Sequence, residues 1–396
     1  RDQTEIKDDS ESLSLGIICL AIGVAVFCGV ASFLLHLAVQ LSGCLGGVNG
    51  CHHSLLLDLV EPLGIGKSVY FIISSSLSGL CAAMIIYAPC KHGVARKCKG
   101  GGSAGTKIVI SAGQSVSGWV PILRITLAAI YLGGGNTLGT EGPIIHLAAS
   151  LATWLIKNLA GLTRNKTLSM FAVIGAAAGI SAGFNVLITG FIFVIEELTR
   201  SLSQKSALII TLAAGVAIFV KDVLEYDVLE HFIHMEHPHL VPDHDNWDKL
   251  SKKDLRILLL TCIPIGALSG VLGWVFARAT WAVQVFLNPR MIGKPRSTFH
   301  KRFFPEWSHL AVIGLFTGCL GALVYEVTGV NGVWGTTVGA IPEMIEKDIS
   351  WDEALLLFGG KLCATILATA GGGPGGTLVP SLAAGGSLGI AIGRLV

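Results

Sequence analysis

Charged residues are scarce in this sequence. Of its 396 residues, only 14% are Asp, Glu, Lys or Arg, whereas 52% are hydrophobic. A soluble domain carries roughly 25% charged residues, because its surface must face water. A surface that faces lipid needs no charge, so the shortage excludes an ordinary water-soluble domain and predicts a protein of the lipid bilayer.

The sequence also lacks a basic tract, a standard metal motif and a recognisable catalytic constellation. The formal net charge is only +2, so nothing in it favours a nucleic-acid partner. Five histidines crowd a polar stretch, residues 221–254, but their spacing fits no zinc motif. We interpret the stretch as a solvated loop able to sense pH, and we expect no metal site, no cofactor and no enzyme activity.

Apolar runs fill the chain on both sides of that polar stretch. We divide the chain into a polar N-terminal segment (1–12), a first transmembrane repeat (13–220), a polar hinge loop (221–254) and a second transmembrane repeat (255–396). Several runs are too short to span a bilayer, and the chain holds 50 glycines. Broken helices are tolerated in a membrane only where their backbone lines a cavity or is buried in protein. The pattern predicts an all-α polytopic membrane protein with broken helices. The apolar runs are 13–41, 68–87, 120–132, 143–159, 170–198, 207–220, 255–287, 310–325, 351–370 and 380–396.

One Gly/Pro segment lies in each half of the chain. Residues 139–143 read Gly-Thr-Glu-Gly-Pro, and residues 375–380 read Gly-Gly-Thr-Leu-Val-Pro. Proline suits the first turn of a helix, so each segment is predicted to be a helix N-terminus at membrane depth. Such an end offers free N–H groups and about half a positive charge. Two ends aimed at one point would bind a small anion weakly enough to release it again.

Several motifs, in order, resemble those of the chloride channel/transporter (CLC) family. The first segment resembles the family's G-[KR]-E-G-P, with Thr140 in place of the basic residue. The second resembles G-x-F-x-P, with Leu378 in place of the aromatic residue. The other matches are Gly-Ala-Ala-Ala-Gly at 175–179, Phe184-Asn185, Glu196-Glu197 after Phe193, and Lys361. The resemblance extends over residues 13–396.

The resemblance implies an inverted repeat of tilted, broken helices around an anion site, in a homodimer with one pathway per subunit. It implies transport of chloride or another small anion, favoured as exchange for protons. Glu141 would gate the site, because its carboxylate mimics an anion and leaves when it is protonated or displaced. Glu197 would be the inner proton relay and is expected to be buried. Backbone N–H groups of Gly142, Thr377 and Leu378 would bind the anion.

The match departs from the family at its first motif and at its end. The family's G-S-G-I-P is replaced by Gly-Gly-Gly-Ser-Ala-Gly at 100–105. Ser103 is the anion-coordinating serine if the glycines are aligned locally. Gly101 takes that place, without a hydroxyl, if Lys107 is aligned instead. The family's last helices do not follow in this sequence, so we expect the second repeat to be incomplete. A passive voltage- or pH-gated chloride channel and a truncated, non-transporting subunit stay open as alternatives.

Overall fold

A computed structural model describes residues 15–45, 66–88, 95–199, 203–232, 252–289, 305–336 and 340–395. These residues form helices and contain no strand, and eight of the helices are long and apolar enough to cross a membrane. The predicted all-α, multi-pass architecture is confirmed. The helices are α1 (Leu15–Leu45), α2 (Lys67–Tyr87), α3 (Ser103–Ala112), α4 (Trp119–Gly133), α5 (Glu141–Asn158), α6 (Asn165–Phe184), α7 (Leu187–Phe193), α8 (Gln204–Phe232), α9 (Lys252–Leu287), α10 (His309–Thr328), α11 (Ala340–Glu346), α12 (Trp351–Ala370) and α13 (Leu378–Leu395).

A break divides the apolar run 170–198. Helix α6 ends at Phe184, because Asn185 adopts the left-handed backbone conformation with a φ of 55° and its N–H bonds to the carbonyl of Ala182. Asparagine tolerates this conformation better than most residues and commonly ends helices in this way. The short α7 then passes directly into a π-helical turn, Val194–Thr199.

Helix α8 extends past the boundary predicted for the hinge loop at residue 221. It runs to Phe232, and Lys221 is buried within it, 2.8 Å from the carboxylate of Glu225. Opposite charges four residues apart lie on one face of a helix, which sustains α8 through the change from apolar to polar sequence. The histidines from 234 to 244 lie outside the described residues.

Helices α2 and α10 pack with almost no side chain between them. A Cβ atom on Gly79 would strike the carbonyl oxygen of Leu310, and one on Gly314 would strike that of Ser75. The Ser75 hydroxyl donates to the Gly314 carbonyl at 2.9 Å. Small residues let helices approach this closely, and the resulting van der Waals contacts stabilise helix pairs in lipid.

Helix α5 is buried along most of its length, beginning with Glu141. It packs on α6 at a position where Ala148 and Ala152 fill the space beside Gly175, so that a Cβ there would collide with them. Interiors packed at this density resist displacement. The α5–α6 pair therefore holds the N-terminus of α5 inside the protein.

Candidate functional site

The two predicted helix N-termini meet. Helix α5 begins at Glu141, and α13 begins at Leu378. Just before them, the Gly139 N–H donates to the Gly376 carbonyl at 2.8 Å, and the Gly376 N–H donates to the Gly139 carbonyl at 2.7 Å. This pair of hydrogen bonds joins the two halves of the chain and confirms that the two ends converge.

The carboxylate of Glu141 lies at the N-terminus of α13. Its Oε1 accepts hydrogen bonds from the N–H groups of Leu378 at 2.5 Å and Val379 at 3.3 Å. Glu141 is only 6% exposed, and its Oε2 has no hydrogen-bond partner among the described residues. Of the other predicted donors, Gly142 follows Glu141 on α5 and Thr377 precedes Leu378. A carboxylate in this place occupies the position where a helix N-terminus binds an anion.

The loop before α3 closes another side of the site. A Cβ on Gly101 would lie 2.9 Å from the carbonyl oxygen of Gly375, and one on Gly142 would strike the carbonyl of Gly101. Gly102 has a φ of 95°, and a Cβ there would strike the carbonyl of Gly142. Gly101 thus lies against both helix N-termini, whereas Ser103 is the first residue of α3. Which of the two contacts the anion stays a prediction.

Comparisons with known proteins agree with this geometry. The family model described as "Voltage gated chloride channel" matches residues 78–396. The chain belongs to this family. Together with the eight apolar helices, that membership makes the chain an integral, multi-pass membrane protein.

Curated relatives of this CLC-family chain match over about two thirds of it. The chloride channel protein CLC-e of Arabidopsis thaliana is 29% identical over 287 residues, which cover 70% of this chain and 36% of that protein. The H(+)/Cl(−) exchange transporter ClcA of Vibrio cholerae serotype O1 is 28% identical over 270 residues, 67% of this chain and 50% of that protein. The matched region therefore spans half of these relatives' length or less.

Solved structures share the fold. A slow cyanobacterial Cl−/H+ antiporter aligns with a TM-score of 0.67 and 18% identity, over 97% of this chain and 80% of that chain. A CLC-type fluoride/proton antiporter aligns with a TM-score of 0.65 and 18% identity, over 98% of this chain and 83% of that chain. At this identity the likeness establishes the fold, and roles for individual residues must come from the chain's own geometry.

A buried arginine braces the site, and the motifs did not single it out. Arg124 on α4 has no exposed surface, and its Nη1 donates to the Gly100 carbonyl at 2.8 Å. Its Nη2 lies 3.1 Å from Nδ1 of His146, one turn beyond Gly142 on α5. The sequence did carry a signal, because Arg124 interrupts the apolar run 120–132 and an ionisable residue in a membrane segment is a functional candidate by default.

Lys361, which the resemblance did single out, anchors the chain just before α5. It is buried, and its Nζ donates to the carbonyls of Val333 at 3.1 Å and Gly335 at 2.8 Å. The Gly335 N–H donates to the Gly135 carbonyl at 3.0 Å, and the Thr137 hydroxyl donates to the Val333 carbonyl at 2.5 Å. This network connects α12 to the segment that leads into the site.

Glu197 lies on the π-helical turn, in surroundings that differ from the expected burial. Its side chain is 43% exposed, and its Oε1 lies 2.6 Å from Nζ of Lys107 on α3. The expectation of a buried Glu197 is therefore wrong for this chain taken by itself. The negative charge of Glu197 attracts the positive charge of Lys107. Arg200, three residues further along, lies outside the described residues. Lys107 links Glu197 to the helix that follows Gly101.

Proposed function

We propose that this chain transports a small anion, chloride, across a membrane in exchange for protons, with Glu141 as the gate. The observation that carries the proposal is the Glu141 carboxylate at the N-terminus of α13, bonded to two backbone N–H groups. A carboxylate and a chloride ion each carry one negative charge, so they compete for the same donors. The site is an anion site that the Glu141 carboxylate of the protein itself can occupy.

Protonation of Glu141 opens this gate. A neutral carboxylic acid accepts hydrogen bonds less strongly than a carboxylate does, so the N–H groups of Leu378 and Val379 become available to an anion. Gly142 and Thr377 add N–H groups beside them. The site offers partial rather than full positive charges, so the anion can leave again. A proton that binds Glu141 and an anion that takes its place at the N–H groups therefore meet at one position and cross the membrane in opposite directions.

Further parts of the proposal rest on the family resemblance. Glu197 is the inner proton relay, and the working unit is a homodimer with one pathway per subunit. The curated relatives support chloride, because one is a chloride channel protein and another is an H(+)/Cl(−) exchange transporter. Fluoride is the competing anion, because one protein of the same fold is a fluoride/proton antiporter.

Chloride and proton flux measured together in liposomes tests the proposal. A chloride gradient across the wild-type protein should drive protons uphill. Glu141→Gln should conduct chloride with weaker pH dependence and without proton movement, because an amide is neither protonated nor able to compete as an anion. Proton exchange that survives in Glu141→Gln would show that another group is the gate.

A passive chloride channel is the second candidate, and the ion pair between Lys107 and Glu197 favours it. At 2.6 Å the carboxylate is engaged with an ammonium group, whereas a relay must bind and release protons in turn. In that case the wild-type protein conducts chloride with no accompanying proton movement, and the two flux measurements separate the candidates directly.

A further inference from the structure

Arg124 is a buried cation whose described partners are all neutral. The guanidinium donates to the Gly100 carbonyl at 2.8 Å and to the Lys97 carbonyl at 3.4 Å. It also lies 3.3 Å through Nε and 3.1 Å through Nη2 from Nδ1 of His146. Arginine has no acceptor, so Nδ1 of His146 must accept and its ring proton lies on Nε2. No carboxylate among the described residues pairs with Arg124.

A cation without a buried counter-charge is costly in a membrane protein. Removing a charge from water costs several kcal/mol in general, and hydrogen bonds to neutral groups offset only part of that cost. A nearby negative charge would offset more of that cost. In this chain the mobile negative charges are the Glu141 carboxylate and the anion that replaces it.

The partners of Arg124 are the walls of the anion site. The Gly100 N–H donates to the Gly372 carbonyl at 2.9 Å, in the turn that leads to α13. The next residue, Gly101, lies against Gly375 and Gly142. Arg124 therefore joins the loop before α3 to α5, two of the elements that form the site.

We propose that Arg124 sets the affinity of the anion site, by holding the Gly100–Gly102 loop against α5 and by supplying the positive charge that the loop itself lacks. This inference rests on the proposed function. If Gly101 rather than Ser103 faces the anion, that position offers no hydroxyl, and Thr140 offers no charge. Backbone N–H groups and the fields of two buried cations, Arg124 and Lys361, then remain as attractions for the anion. His146 is a positioning residue, which fixes the plane of the guanidinium.

Chloride binding to the purified full chain, measured by isothermal titration calorimetry, tests this directly. Arg124→Gln should raise the chloride dissociation constant roughly tenfold or more, equivalent to about 1.4 kcal/mol. Arg124→Lys should keep it within about threefold of wild type, because the charge stays in place. Arg278→Gln, the same change at an exposed position of α9, is the matched control and should bind chloride as wild type does.

A second pair of variants tests the charge without removing the arginine. His146→Glu places a carboxylate where Nδ1 accepts, so it neutralises Arg124 in its own contact. His146→Gln has the same length and stays neutral. His146→Glu should weaken chloride binding roughly tenfold, whereas His146→Gln should stay within about threefold. This pair carries the test if Arg124→Gln does not fold.

The outcomes separate this inference from the proposed function. Unchanged chloride affinity in Arg124→Gln, or equal loss in His146→Glu and His146→Gln, would overturn the role of the Arg124 charge even if the wild-type protein transports chloride. Equal loss in Arg124→Lys and Arg124→Gln would likewise reduce Arg124 to a structural tether. If the variants bind chloride as expected but the wild-type protein shows no chloride flux, the role of Arg124 in anion affinity would be supported and the proposed transport function would be overturned.

Discussion

Glycines leave the room that lets three backbone segments approach Glu141. A side chain at Gly101 or Gly142 would displace a carbonyl oxygen of a neighbouring segment, and Gly102 also has the left-handed φ that favours glycine. Backbone N–H groups arranged in this way form an anion-binding concavity without any cationic side chain in it. Backbone positions therefore shape the proposed site, and small changes there are expected to have large effects.

Gly101→Ala should lower chloride flux roughly tenfold or more, because its Cβ would lie 2.9 Å from the Gly375 carbonyl and misplaces the site. Ser103→Ala, two residues further along at the start of α3, should retain flux. Chloride flux in liposomes, with thermal unfolding as a check on folding, measures both. The reverse pattern would show that the Ser103 hydroxyl contacts the anion and that the local alignment of the glycines is the right one.

At the scale of single residues, the site was predictable where one rule acts locally. Proline and glycine predicted helix N-termini at Pro143 and Pro380, and the helices begin two residues earlier, at Glu141 and Leu378. Arg124 and His146 could not be paired from the sequence, because their contact depends on how α4 crosses α5. The exposure of Glu197 was also missed, since it depends on which helices cover the π-helical turn.

At the scale of helices, the apolar runs predicted which segments are helical better than they predicted where each helix ends. The run 170–198 contains a break at Asn185, which adopts the left-handed conformation. Asparagine can adopt this conformation but does not always do so, and the run of apolar residues gives no sign of it. The predicted hinge begins at 221, yet α8 continues to Phe232, because pairing of charges within a helix compensates for the loss of apolar residues. Local composition alone therefore does not determine where a helix ends.

The crossing of α2 and α10 gives a prediction for packing. Gly314→Ala should destabilise the protein by about 1–3 kcal/mol, because the added Cβ strikes the Ser75 carbonyl and backbone must shift. Gly270→Ala, on α9 with nothing within 4 Å of the new atom, is the matched control and should be neutral or slightly stabilising. Thermal unfolding in detergent compares them, and equal midpoints would mean that the close approach does not contribute to stability.

The link between α3 and the π-helical turn gives a prediction for coupling. Glu197→Gln should abolish proton movement driven by a chloride gradient while chloride flux persists, because an amide cannot carry a proton in relay. Lys107→Met should keep proton coupling, because it removes only the partner, which is itself 48% exposed. Glu196→Gln should mainly affect folding or expression.

Proton and chloride flux in the same liposomes measure these effects. Loss of coupling in Glu196→Gln alone would move the relay to the other acid. A wild-type protein without proton movement would leave Glu197 as an ordinary acid at a helix end.

At the scale of the whole molecule, each charged group at the site is held by a different part of the chain. Arg124 comes from α4, Glu141 from the start of α5 and Lys361 from α12, and the α13 backbone supplies the N–H groups. The Gly139–Gly376 bridge joins the two halves around them. The proposed anion site therefore depends on segments from both halves of the chain, which explains why no single segment of sequence defines it.

The same observation makes a prediction about the proposed homodimer. One chain by itself supplies both N–H donors to the Glu141 carboxylate, so we expect each subunit to hold a complete gate and to work independently of its partner. Heterodimers of wild-type and Glu141→Gln chains, purified through two different tags, should show about half the proton movement of wild-type dimers, because independent sites contribute additively. Their uncoupled chloride flux should be about half that of Glu141→Gln dimers for the same reason. The two homodimers, carrying the same tags, are the controls. A heterodimer that is fully coupled or fully uncoupled would show that the two gates act as one unit, and one complete pathway per chain would then be wrong.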